Sequence, residues 1–89
     1  MSRREEWRKV LDAETERWSE KSCEQLITEL REVRCYEVEV DSKHFQVEVQ
    51  LLENTNEYVH VSVDVDDGSL PWSIFPVSQT FIRQKDKSD

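Results

Sequence analysis

Glycine is almost missing from this sequence. There is one in 89 residues, alongside two prolines and two cysteines. A single glycine rules out the Gly-rich loops that cradle phosphates, because those need several positions where a Cβ would block the backbone's approach. Two cysteines, Cys23 and Cys35, permit at most one bridge, whereas a small disulfide scaffold needs several. Neither lies in a C-x-x-C pair, so a zinc-ribbon reading fails as well. No apolar run approaches the roughly 20 residues that span a bilayer. The opening "MSRREEWRKV" is charged throughout and has no apolar h-region of a signal peptide. A soluble, cytoplasmic protein is the expectation.

Positive charge is also scarce where it counts. The net charge is −8 and 36% of residues are charged. Between Cys35 and Asp67 the one basic residue is Lys43. It faces Glu37, Glu39, Asp41, Glu48, Glu53, Glu57, Asp64, Asp66 and Asp67. This stretch holds essentially all of the net charge. Such a balance argues against general binding of nucleic acid or anionic membranes.

What is present is periodicity. Trp7, Val10, Leu11, Glu14 and Trp18 recur at helical spacing, with charged residues between them, predicting a helix over 3–18. Ser22 followed three residues later by Gln25 is a capping-box pattern. It starts a second helix over 23–33 with Leu26, Ile27, Leu30 and Val33 on one stripe; a single bent helix is the alternative. Cys23 falls in the first turn, where free amides favour a thiolate. No base accompanies it, so it is read as a small packing hydrophobe.

From Tyr36 the period changes to two. Tyr36, Val38 and Val40 alternate with Glu37 and Glu39, and Phe45, Val47, Val49 and Leu51 with Gln46, Glu48 and Gln50. This predicts a hairpin. A turn at Asp41-Ser42 pairs Val38 with Phe45 and Glu39 with His44, and avoids the Glu37–Glu48 opposition of the alternative register. A third strand, "YVHVSVDV", turns Val59, Val61, Val63 and Val65 inward; pairing Leu51 with Val59 sets every inward residue opposite another.

"DVDDGSLPW" crowds aspartates near the lone glycine. It is not a calcium loop: no reading frame puts both Gly68 and the ligands where an EF-hand needs them. A two-residue Asp67-Gly68 turn fits better. It predicts a fourth strand with Leu70, Trp72 and Ile74 opposite Val65, Val63 and Val61. Pro71 and Pro76 would make that strand an edge.

The fold class expected is therefore α+β: two amino-terminal helices, or one bent helix, on a four-stranded antiparallel meander in order 1-2-3-4. One small domain spans 1–85, and 86–89 form a disordered tail. The expected core is Trp7, Leu11, Leu26, Ile27, Leu30, Val38, Val47, Val49, Val61, Val63, Trp72 and Ile74.

The face turned away from the helices is where a function would sit. It carries Glu37, Glu39, His44, Gln46, Glu48, Gln50, His60, Ser62 and Asp64. Leu52, Tyr58, Phe75 and Val77 form an apolar patch at one end, covered by Phe81 and Ile82 of the tail or by a partner. The reading is a small acidic interaction or accessory module, with a protein partner or a homodimer. A small enzyme or a metal-binding domain is the alternative. For catalysis, His60 and Asp64 lie about 13 Å apart along a strand, too far for a dyad, and no nucleophile accompanies them. For metal, His44 and His60 lack ligand spacing. No catalytic residue, cofactor or metal ligand is assigned.

Overall fold

The computed structural model describes residues 3–66 and 77–85. In order come α1 (Arg3–Ser19), α2 (Cys23–Glu29), β1 (Arg34–Val40), β2 (Lys43–Asn54), β3 (Tyr58–Asp66) and β4 (Val77–Gln84). The strands form one antiparallel sheet in order β1-β2-β3-β4. The helices cover one face, α1 over β3 and β4 and α2 over β2 and β3. No helix among the described residues is long and apolar enough to cross a membrane.

Each helix follows its sequence signals at its start. α1 buries Val10, Leu11, Glu14 and Trp18. The break after Ser19 is real: Ser22 caps α2, its Oγ accepting from the Gln25 N–H while its own N–H donates to Gln25 Oε1, both at 3.1 Å. The end of α2 is earlier than expected. The helix stops at Glu29 and Leu30 is its C-cap. Val33, expected on the buried stripe, is 46% exposed, because the chain must turn there to enter β1 at Arg34.

The β1–β2 hairpin has the expected register, with Val38 opposite Phe45, Glu39 opposite His44 and Glu37 opposite Gln46. Asp41 and Ser42 have φ of 52° and 67°, positive at both turn positions as a type I′ turn requires.

Two pairings differ from expectation. Leu51 faces Val61, not Val59, and a β-bulge between Leu51 and Glu53 absorbs one residue. A shift of two residues keeps every valine on its face, so alternation alone does not choose between the registers. The turn chooses. Thr55 N–H donates to Tyr58 O at 2.9 Å, and Thr55 Oγ1 accepts from the Glu57 and Tyr58 N–H groups at 3.1 and 3.0 Å. This closes the loop at the Asn54–Val59 pair.

The partner of β3 also differs. Val65, Val63 and Val61 face Val77, Gln79 and Phe81, not Leu70, Trp72 and Ile74. The segment "VSQTFIRQ" is free of proline, so each of its residues can donate to a ladder, unlike Pro71 and Pro76. The Asp67-Gly68 turn and the core positions expected for Trp72 and Ile74 lie outside the described residues. Phe81 and Ile82 do not fold back over the sheet; they are part of it.

The core is Val10, Leu11, Trp18, Leu26, Leu30, Phe45, Val47, Val49, Val59, Val61, Val63 and Val65, with Trp7, Cys23, Ile27, Tyr36, Val38, Leu51 and Phe81 packed against its rim. Each fully buried aliphatic side chain contributes about 1.5–3 kcal/mol. At the rim, Tyr36 Oη donates to Glu14 Oε1 at 2.5 Å and accepts from Trp18 Nε1 at 2.8 Å. The one acid on α1's apolar stripe thus gains a partner from the sheet.

Candidate functional site

The strands sort their charge by face. On the face away from the helices, rows run across the sheet as Glu37–Gln46–Asp66, Cys35–Glu48–Asp64–Ser78 and Gln50–Ser62–Thr80. Glu39–His44 and Glu53–His60–Ile82 lie at opposite ends of this array. The basic strand residues all occupy the other parity. Arg34 is opposite Val49, Lys43 opposite Val40, and Arg83 opposite Val59. Lys43 Nζ reaches Glu6 of α1 at 2.7 Å, and Arg34 lies 3.9 Å from Glu29 of α2. Among the described strand residues, the outer face therefore carries acids and two histidines but no lysine or arginine.

Neighbouring strands lie about 5 Å apart and same-face residues of one strand about 7 Å. Both spacings are within a Debye length of about 8 Å, so these carboxylates act as one field. Their contacts are soft. His44 Nδ1 is 3.5 Å from Glu37 Oε1, and His60 Nδ1 is 3.5 Å from Glu53 Oε1. Ser62 is buried between its neighbours and its Oγ donates to Asp64 Oδ1 at 3.4 Å. At the far end Tyr58 Oη donates to Glu53 Oε1 at 3.3 Å. The Glu53 charge, with smaller contributions from burial, that hydrogen bond and Glu57, raises the Tyr58 pKa. A groove of about 400 Å³ runs over β1, β2 and β3 beside Cys35, Glu37, Gln46, Glu48, Asp64 and Asp66.

The structure brings together Glu37, Glu39, His44, Gln46, Glu48, Gln50, His60 and Asp64 on this face, as the alternation predicts. Leu52 is 45% exposed at the bulge. Tyr58 opens β3, opposite Gln84, and Phe75 lies outside the described residues. Three outer residues were not legible. Cys35 extends the Glu37–Glu39 alternation by one step that an early strand start conceals. Glu53 is turned outward only by the bulge, and Ile82, 55% exposed, is placed by the β4 register.

Cys23 packs at the core's rim, its Sγ 3.5 Å from the carbonyl oxygens of Arg83 and Gln84. Both cysteines are free thiols. Among the described residues no three His, Cys, Asp or Glu side chains gather as a metal site. Chemically, this face can attract and orient cationic groups across a wide area. Compared with protein-family models, curated proteins and solved structures, the chain matches none of them.

Proposed function

We propose that this chain is a protein-interaction module whose acidic sheet face receives a basic surface of a partner protein. The observation that carries this reading is the sorting of charge: Glu37, Glu39, Glu48, Asp64 and Asp66 point outward while Arg34, Lys43 and Arg83 take helix-side positions. Solubility alone does not need this. A surface with both signs interspersed keeps a domain soluble without the self-repulsion of a one-sign face. A one-sign field steers an oppositely charged partner and speeds its association. Leu52 and Ile82, both exposed, supply apolar contact at one end of the face.

The test is a comparative pull-down with the wild type and a Glu37→Lys/Glu39→Lys/Glu48→Lys variant, repeated at two salt concentrations. Basic proteins held by the wild type at low salt are expected to be lost from the variant and to weaken with added salt. Identical partner sets for the two proteins would overturn the reading.

A further inference from the structure

We infer that β1 is a strand-addition site for an extended segment in which basic and apolar residues alternate. The inference rests on the acidic-face reading and specifies how a partner would engage it.

The backbone phase of β1 follows from its hairpin. With a two-residue turn at Asp41-Ser42, the flanking pair Val40–Lys43 exchanges both hydrogen bonds. Alternation then makes Val38–Phe45, Tyr36–Val47 and Arg34–Val49 hydrogen-bonded pairs as well, in the observed register. Cys35, Glu37 and Glu39 are the residues whose N–H and C=O groups turn away from β2. β1 is the sheet's first strand, and no described strand pairs with that edge. A row of unpaired donors and acceptors is a template for another strand.

The side chains say which strand fits. Glu37 and Glu39 are exposed on the outer face of this edge. On the helix side Val38 is half-buried and Val40 is 41% exposed. An incoming strand paired with β1 places alternate side chains beside the glutamates and beside the valines, at cross-strand distances of about 5 Å. Lysine or arginine suits the first set and valine, isoleucine or threonine the second. A second copy of β1 does not fit, because an antiparallel pair brings the glutamates of one copy against those of the other, and like charges directly opposite are destabilising. The same acids that keep the edge from pairing with itself select a basic strand.

The experiment uses the whole chain and a nine-residue probe peptide alternating lysine with valine or threonine. A second peptide has the same sequence with N-methyl groups on the amides that would face β1, and so the same charge without those donors. Binding is followed by calorimetry and by amide hydrogen exchange. The alternating peptide is expected to bind, to slow exchange at Cys35, Glu37 and Glu39, and to lose about tenfold or more in affinity on N-methylation, since several backbone hydrogen bonds to the edge disappear. Equal binding of the two peptides, or binding without protection of those amides, would overturn strand addition and leave the acidic-face reading standing. If neither peptide binds at low salt, both readings fail together.

Discussion

Replacing Tyr36 by phenylalanine removes one hydroxyl and keeps the ring. That hydroxyl ties β1 to three residues of α1: it donates to Glu14 Oε1, accepts from Trp18 Nε1 and lies 3.5 Å from Arg17 Nη2. Glu14 and Trp18 are only 9% and 2% exposed. Without the hydroxyl, Glu14 keeps the Arg17 guanidinium at 3.5 Å, while the indole N–H loses this acceptor. A hydrogen bond to a charged group contributes about 1.5–3 kcal/mol, and an orphaned buried donor costs about 1–3 kcal/mol. Water reaches the half-buried ring and offsets part of both losses. Tyr36→Phe should therefore cost about 2–3 kcal/mol, against a total stability of about 4–13 kcal/mol for a chain this size. Urea unfolding with an unchanged m-value measures it. A loss below about 0.5 kcal/mol would refute the argument that this hydroxyl satisfies Glu14 and Trp18.

The same variant has a pH signature. Burial, followed by the Glu14 hydrogen bond, pushes the Tyr36 pKa from 10.0 up to about 12, against the opposing effects of Trp18 and Arg17. A pKa raised in the folded state means that the neutral phenol stabilises the fold. That contribution is complete below about pH 10 and is lost as the pH climbs through about 12. At 1.36 kcal/mol per unit, discounted for solvent screening, it amounts to about 1–2 kcal/mol. Tyr58 is raised as well and adds a decline of the same sign to both proteins. The difference between wild type and Tyr36→Phe, narrowing from pH 10 to 12, is the readout.

Other outcomes follow from the same structure. Moderate NaCl should raise the melting temperature, because it screens the Glu37–Glu48–Asp64 field; calorimetry showing a fall would count against a clustered acidic face. Leu26→Ala, at a fully buried position, should lower the urea-derived stability by about 2–5 kcal/mol. An Asp41→Asn/Ser42→Gly variant relieves two positive-φ residues and should raise the melting temperature, with a gain of about 0.5–1 kcal/mol.

Much of this architecture was legible because the signals were local. Ser22 and Gln25 mark the helix break within three residues, and Asp41-Ser42 sets the register of the first hairpin. Glu37, Glu39, Glu48 and Asp64 fall on one face by alternation alone. The fourth strand was misplaced because Asp67-Gly68 offers a tight turn signal. In the sheet the pairing instead goes to residues 77–84, which have no proline to interrupt the ladder.

By itself the sequence determined which residues of α1 face the sheet and, over most of the sheet, which face the helices, since periods of 3.6 and 2 act residue by residue. Beyond the first hairpin, whose turn fixes its register, it did not determine how far strands slide past one another in steps of two, because every such step preserves those faces. Only tertiary structure decided that Leu51 meets Val61, that the bulge turns Glu53 outward, and that Ile82 joins the outer face. The Glu14–Tyr36 contact, between residues 22 apart in the chain, also awaited the packing of α1 against the sheet. The separation of acids from Arg34, Lys43 and Arg83 depends on both: alternation assigns each strand its two faces, and pairing aligns those faces into one continuous surface.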